Sequence, residues 1–137
     1  MATAREIMTS DVSCVQEGET LNAAAKKMRD LDVGSLPICG TNNRLKGMLT
    51  DRDIVIRCLA DGGDPSTMTA GELAQGEVVT IGADDSAEEA LKVMKSNQVR
   101  RLPVIDGYDL VGVISLADIA RSLSEDKLGD VVEAITD

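Results

Sequence analysis

Two segments of the chain, GMLTDRDI and GVISLADI, combine the residue types best suited to bind a polar ligand. Each places a hydroxyl, Thr50 or Ser115, three residues before a carboxylate, Asp53 or Asp118, where a predicted strand runs into a predicted helix. A carboxylate that accepts from vicinal hydroxyls can hold ribose, and the free N–H groups at a helix N-terminus attract phosphate. The pattern therefore favours a nucleotide-type site in each segment.

The same pattern also has a purely structural interpretation. A Thr or Ser followed three residues later by an acid is typical of a helix N-cap with a first-turn carboxylate. Gly47 and Gly112 favour the ligand, because a glycine lets another group approach the backbone closely. Both interpretations stay open at the level of sequence.

Several kinds of chemistry are excluded by composition. The chain has no His, no Trp and no Phe, and Tyr108 is its single aromatic residue. Without an imidazole, Ser-His-Asp and Cys-His catalysis and most zinc sites are ruled out, so we expect no enzyme, no catalytic residues and no bound metal. An adenine base would have to lie between aliphatic side chains.

The charge balance is acidic, with a formal net charge of −10 over 137 residues. Such a chain repels phosphate backbones, so we expect no nucleic-acid partner. No apolar run is long enough to span a membrane, and the N-terminus lacks the features of a signal peptide. These patterns predict a cytoplasmic protein that does not contact membranes.

The chain repeats itself, and this repeat sets its organisation. Residues 3–39 match residues 69–105 at an offset of 66, and the match resumes at an offset of 65 after a turn. We interpret residues 3–59 as the first repeat, 60–68 as a linker, 69–124 as the second repeat and 125–137 as an acidic tail. Because each repeat is small, we expect the two to share one core.

The hydrophobic periodicity predicts a β-α-β-β-α order in each repeat, preceded by a short helical segment. The first two strands should be parallel, because a crossover helix joins them, and the next pair should form an antiparallel hairpin. The predicted first strands are residues 12–15 and 78–81, and the predicted closing helices are residues 51–59 and 116–123.

The repeat, with LPI and LPV before a hairpin and the two polar segments after it, resembles a tandem pair of cystathionine beta-synthase (CBS) domains. The first half, with LPICG and GMLTDRDIVI, is especially similar to small stand-alone actinobacterial proteins of the hypoxic response type. The resemblance implies an α/β (α+β) fold in which two repeats pack with pseudo-twofold symmetry as one module. It also implies a regulatory role, with AMP, ADP, ATP or S-adenosylmethionine bound in clefts between the repeats.

The resemblance also assigns roles to individual residues. The two hydroxyls and the two carboxylates of the polar segments would hold ribose and phosphate, and the apolar backbone at Gly34 to Pro37 and at Arg100 to Pro103 would line the base slot. With Arg52, which stands beside Thr50, the candidate site residues are Gly34, Ser35, Pro37, Thr50, Asp53, Arg100, Arg101, Pro103, Ser115 and Asp118.

The two sites differ in charge. Arg100 and Arg101 stand where the first repeat has Gly34 and Ser35. Because a guanidinium clamps phosphate, a polyphosphate should favour the second repeat. The alternative is that these arginines only pair with nearby acids. Arg52 is a further phosphate contact or an exposed helix residue in a surface ion pair.

Cys14, Cys39 and Cys58 have no cysteine counterpart in the second repeat. Cys14 and Cys39 fall on adjacent predicted strands, within reach of a disulfide. In a reducing compartment we favour three buried thiols, while a bridge or a redox switch stays open.

The closing helices carry apolar residues that one chain should not cover fully, namely Ile54, Ile56, Ile119 and Leu123. We therefore expect a homodimer, the commonest closed assembly. The favoured function is a regulatory module that binds an adenosyl ligand and acts on an unknown downstream protein. The alternatives are a ligand-free structural or protein-interaction dimer and a cysteine redox-responsive protein.

Overall fold

A computed structural model of the chain describes residues 2–10, 12–74 and 78–123. The chain divides into two compact units. We call Ser13–Val78 the central unit and Met1–Val12 with Val79–Asp137 the split unit. The acidic tail, predicted at residues 125–137, lies outside the described residues.

Both units have the predicted β-α-β-β-α order. The elements of the central unit are β1 (Val15–Gln16), α2 (Leu21–Leu31), β2 (Ser35–Cys39), β3 (Leu45–Thr50) and α3 (Asp51–Asp53), which continues as a π-helical turn over Ile54–Leu59. Those of the split unit are β4 (Ile81–Gly82), α5 (Ala87–Asn97), β5 (Arg101–Asp106), β6 (Asp109–Ser115) and α6 (Leu116–Ser122). Two further short helices open the repeats, α1 (Ala4–Ile7) and α4 (Ala70–Leu73).

Each unit contains one three-stranded sheet, in the order β1-β2-β3 or β4-β5-β6. The first pair of strands is parallel and the second pair is antiparallel in both sheets, so the predicted topology and the α/β fold class are confirmed. Register shifts fall at Ile38/Cys39 and at Val104/Ile105. The two sheets thus share even this local irregularity.

The short helices α1 and α4 pack against the sheet of the other repeat. In the split unit α1 contacts α5, α6 and β6, and in the central unit α4 contacts β1 and β3. The backbones of Thr9 and Val113 exchange two hydrogen bonds of 2.9 and 3.0 Å. The compact units therefore differ from the sequence repeats, because each repeat gives its opening helix to the unit formed by the other.

The predicted first strands are wrong in their limits. Residues 12–14 and 78–80 precede the strands, which begin only at Val15 and Ile81. Pairing decides this, since Val15 and Ile81 are the first residues opposite a neighbouring strand, at Ile38 and Val104. β-Branched residues favour extended backbone, but a strand also needs a partner.

The buried hydrophobic residues form two clusters, so the expectation of one shared core is wrong. The central unit is built around Leu21, Ile38 and Leu49, and the split unit around Leu102 and Ile114. Both helices α2 and α5 direct one apolar face into their cluster and begin at a hydroxyl N-cap.

Two residues expected to be exposed on the closing helices are core residues instead. Ile54 and Ile119 are buried, and Leu123 packs partly against the core of the split unit. Ile56 is exposed as predicted. The prediction failed because the closing helix turns its i, i+4 positions, Ile54 and Cys58, inward.

Candidate functional site

The first polar segment forms a reciprocal cap at the start of α3. Thr50 Oγ1 accepts a hydrogen bond from the N–H of Asp53 at 3.0 Å, and Asp53 Oδ2 accepts one from the N–H of Thr50 at 3.0 Å. Asp53 Oδ1 lies 3.9 Å from a guanidinium nitrogen of Arg57, which also donates to the carbonyl of Leu73 at 2.9 Å. The segment therefore forms the helix N-cap with a first-turn carboxylate that the structural interpretation predicted.

The second polar segment repeats this geometry at the start of α6. Ser115 Oγ accepts from the N–H of Asp118 at 3.1 Å, and Asp118 Oδ2 accepts from the N–H of Ser115 at 2.9 Å. The other carboxylate oxygen of Asp118 accepts from Arg121. Asp53 and Asp118 therefore each use one oxygen in the cap and face an arginine with the other.

In each unit a backbone hydrogen bond joins the residue just before β2 or β5 to the first residue of the closing helix. The N–H of Asp51 donates to the carbonyl of Gly34 at 2.9 Å, and the N–H of Leu116 donates to the carbonyl of Arg100 at 2.8 Å. In register, Ser35 stands opposite Thr50. Each sheet thus brings its predicted strand residues beside its predicted cap.

Arg101 stands opposite Ser115 in the other sheet. The matching position therefore holds a cation in the split unit and a hydroxyl in the central unit. The two predicted sites share one backbone arrangement and present different side chains on it.

Ser35 is the one described residue whose buried side-chain oxygen has no hydrogen-bond partner. Unpaired buried hydroxyls are rare in folded proteins, because leaving such a group dry costs about 1–3 kcal/mol. This hydroxyl lies at the end of the sheet where Thr50 caps the helix. It is an unsatisfied polar group at that end of the sheet.

The two sites also differ in charge. A side chain at Gly34 would meet the carboxylate of Asp51 at 3.3 Å, whereas the second repeat has Leu116 at the position of Asp51. The central unit thus sets two acids against two arginines, and the split unit one acid against three arginines. These residues are Asp51, Asp53, Arg52 and Arg57, and Asp118, Arg100, Arg101 and Arg121.

Two other predicted features have structural roles. Pro37 and Pro103 are fully buried in their strands, so their rings lie in the core. A Cβ on Gly112 would lie 2.7 Å from the carbonyl oxygen of Thr9, and one on Gly47 would lie 3.1 Å from Cβ of Ala74. Both glycines make room for the chain that follows an opening helix, and the expectation that they make room for a ligand is wrong.

Sequence reasoning missed Asp51, Arg57 and Arg121. The spacing could have found the two arginines, since Arg57 follows Asp53 by four residues and Arg121 follows Asp118 by three, the distances at which side chains meet on a helix. Asp51 gave no such signal, because its neighbour Gly34 comes from a distant part of the sequence.

A disulfide joins Cys14 to Cys39, with Cα atoms 5.7 Å apart. Cys58 is buried and keeps its thiol. The favoured expectation of three free thiols is therefore wrong for the first two cysteines, because parallel pairing of β1 with β2 brings their backbones within reach.

Comparison with known proteins decides the family. The model of the CBS domain matches residues 4–59 and again residues 70–125. The chain belongs to the CBS domain family. The resemblance seen in the sequence is thereby confirmed.

The CBS pair is similar along its whole length to known proteins. Hypoxic response protein 1 of Mycobacterium tuberculosis is 56% identical over 98% of this chain and 94% of its own length. A crystal structure of hypoxic response protein I with two coordinated zinc ions has a TM-score of 0.85 and 57% identity, covering 90% of this chain and 100% of that one.

A more distant CBS structure shares the fold alone. CBSX2 in complex with AMP has a TM-score of 0.77 and 21% identity, covering 89% of this chain and 96% of that one. No helix among residues 2–10, 12–74 and 78–123 has the length and hydropathy needed to cross a bilayer.

Proposed function

We propose that this CBS pair is a regulatory, non-catalytic module that binds an adenine nucleotide or a related adenosyl compound. The observation that carries the proposal is the buried, unpaired hydroxyl of Ser35 beside the cap formed by Thr50 and Asp53. A ribose or base group that bonded to this hydroxyl would remove the cost of leaving it dry. The binding of AMP by a protein of the same fold is consistent with this ligand class.

The charge difference assigns different preferences to the two sites. The arginines of the split unit favour phosphate, because guanidinium groups form charge-assisted hydrogen bonds with it. The balanced charges of the central unit favour an adenosyl group without phosphates, or the cationic S-adenosylmethionine. Substitutions in the split unit are thus expected to weaken phosphate binding, and substitutions in the central unit to weaken binding of the adenosyl group.

The main test is titration calorimetry with adenosine, AMP, ATP and S-adenosylmethionine on the wild type and two variants. Ser35→Ala should lower the affinity for the adenosyl compounds about tenfold, the loss of one hydrogen bond, while leaving the ligand-free stability unchanged or slightly higher. Replacing Arg100 and Arg101 by Ala should weaken ATP most and adenosine least.

Matched controls separate these effects from general ones. Ser66→Ala removes an exposed hydroxyl that contacts Asp64, and Arg29→Ala removes an exposed arginine that pairs with Asp30. Neither should change any affinity. Absence of heat with all four compounds would reject the ligand proposal in favour of a ligand-free interaction module.

Zinc does not enter this proposal, although a similar protein holds it. The chain has no His, and the described residues contain no group of three or more His, Cys, Asp or Glu side chains placed to hold a metal ion. The thiols of Cys14 and Cys39 are joined to each other. These residues do not offer the donor set that zinc requires.

The disulfide supports a second candidate function, a response to redox conditions. It joins the residue before β1 to the last residue of β2, four positions from Ser35. Closing a loop of this length stabilises a fold by about 3–4 kcal/mol in the chain-entropy description. Reduction should therefore lower the free energy of unfolding, and a redox role further requires that it change ligand affinity.

Intact mass spectrometry with and without reductant checks the bond itself, with Cys14→Ser as the permanently open form. Equal affinity of the oxidised and reduced proteins for every compound would reject the redox role and leave the bond a structural one.

We also propose that the working form is a homodimer. Three large apolar side chains are exposed on the closing helix of the first repeat, and an isologous pair is the commonest way to cover such a face. Light scattering during gel filtration gives the mass directly, and a monomer at micromolar concentration would reject the dimer.

A further inference from the structure

The two ends of the disulfide in the first repeat differ in exposure. Cys39 has 0% of its surface exposed, and it ends β2, the central strand of its sheet. Cys14 is partly exposed, and it precedes β1, a strand of two residues at the edge of that sheet. A molecule in solution can therefore reach the bond at Cys14 but not at Cys39.

The backbone also holds these two ends differently. The carbonyl of Cys39 accepts from the N–H of Glu17 at 3.1 Å, and Cys39 stands opposite Leu45 of β3. Strand pairing in β1 begins only after Cys14, at Val15. Because local opening starts where backbone pairing ends, a movement that parts the two sulfurs displaces Cys14 and leaves Cys39 in place.

A lysine adds a positive charge next to Cys14. Nζ of Lys27 donates to the carbonyl oxygen of Cys14 at 2.8 Å and lies 3.2 Å from Oε1 of Glu19. A neighbouring ammonium favours the thiolate of a reduced cysteine, which is the form that attacks disulfides, although Glu19 offsets part of this charge. The accessible cysteine is thus also the one placed to react.

The fold does not need any of these three side chains. The second repeat forms the same sheet and the same helix with other residues. Its residues at the positions of Cys14, Lys27 and Cys39 are Thr80, Val93 and Ile105. The two cysteines and the lysine are therefore particular to the first repeat, which is consistent with a chemical role.

We infer that Cys14 is a site of S-thiolation, where a small-molecule disulfide RSSR attaches to the reduced protein, and that Cys39 resolves the adduct. The Cys14 thiolate attacks one sulfur of RSSR, the S–S bond of RSSR breaks, and RS⁻ leaves and is protonated by water. The Cys39 thiol then loses its proton and attacks the sulfur of Cys14, which expels the second RS⁻, and this RS⁻ takes up a proton. The two cysteines are thereby oxidised to their disulfide, and RSSR is reduced to two molecules of RSH.

Reduction follows the same route backwards. An external thiolate attacks the sulfur of Cys14, and the thiolate of Cys39 leaves and is protonated. The inference rests on the redox candidate proposed above only for the existence of the bond. If the oxidised and reduced proteins bound every ligand equally, the redox role would fail and the assignment of Cys14 would stand.

The test measures the reaction of oxidised glutathione with two reduced variants of the full chain, Cys39→Ala and Cys14→Ala. Intact mass and peptide mapping follow the adduct with time. Cys39→Ala should carry glutathione on Cys14, whereas Cys14→Ala should react at Cys39 at least about a hundredfold more slowly, because that thiol is buried. Cys58, which is also buried, is the internal reference and should be as slow as Cys39.

The same reaction in denaturing urea is the control. Without the fold, Cys14 and Cys39 should react within about threefold of each other, because both are then ordinary exposed thiols. Circular dichroism shows that each variant is folded in the absence of urea. Similar rates for Cys14 and Cys39 in the folded variants, or no adduct on either, would reject the assignment.

The wild type gives a measurement that needs no substitution. The oxidised protein is treated briefly with reduced glutathione, and the thiols that open are then blocked with N-ethylmaleimide in urea. The mixed disulfide should lie on Cys14 and the maleimide on Cys39. A mixed disulfide found on Cys39 would overturn the proposed order of attack.

Discussion

In both repeats a hydroxyl and a carboxylate cap the closing helix, Thr50 with Asp53 and Ser115 with Asp118, at nearly equal distances. Around the first cap acids and arginines balance, and around the second the arginines predominate. The cap is what the fold needs, since it is kept in both repeats. The surrounding side chains are where the repeats diverge, and therefore where a difference in ligand preference can arise.

The glycines before the caps provide the largest expected difference between the repeats. A Cβ at Gly112 would lie 2.7 Å from the backbone oxygen of Thr9, which cannot move without breaking its pairing with Val113. Gly112→Ala should therefore lower the free energy of unfolding by about 2 kcal/mol. Gly47→Ala, whose nearest atom is Cβ of Ala74 at 3.1 Å, should cost less than about 1 kcal/mol.

Urea denaturation of the two glycine variants compares them directly. Equal losses would show that the backbone of the opening segment approaches β3 as closely as it approaches β6. The proposed difference between the two glycines would then be wrong.

The caps should contribute equally to stability although their ligand preferences differ. Thr50→Ala and Ser115→Ala each remove the acceptor of one N–H group at a helix start, so each should cost about 1 kcal/mol. Thr50→Ser keeps the hydroxyl and serves as the control with little loss. A cost for one cap much larger than for the other, measured by thermal denaturation without ligand, would mean that the two boxes differ in more than their surroundings.

Most of the local structure could be predicted from the sequence. The strand 35–39, the helix 21–31 and both hairpins follow from periodicity and turn residues, because these depend on neighbours within a few positions. The caps at Thr50 and Ser115 were predicted for the same reason. Their spacing alone fixes which hydroxyl meets which N–H group.

The predictions that failed concern features that depend on contacts between distant parts of the chain. Thr9 pairs with Val113, and this pairing brings the backbone of Thr9 so close to Gly112 that a side chain would not fit there. Asp51 meets Gly34 only after the hairpin has formed. The inward turn of Ile54 required the position of the core, which periodicity over a short helix does not give.

The smallest expected effect is on stability at low pH, and it distinguishes the turn that precedes α2 from the turn that precedes α5. Glu19 accepts from the N–H of Gln16 at 3.0 Å and lies 3.2 Å from Lys27, and Asp85 accepts from the N–H of Gly82 but has Val93 at the position of Lys27. The backbone hydrogen bond from Gln16, and then Lys27, lower the pKa of Glu19, while burial opposes them in part.

Because the pKa of Glu19 is lower in the folded state, its contribution is present at neutral pH and is lost as the pH falls below about 5 through the folded value. Glu19→Gln should therefore be less stable than the wild type by up to about 1 kcal/mol at pH 7, with the two converging in acid. Asp85→Asn is the control, because it removes a carboxylate from the matching turn, where no lysine stands at the position of Lys27. If the gap between Glu19→Gln and wild type stayed constant down to pH 3, the loss would come from packing, and the ionised carboxylate would not distinguish the two turns.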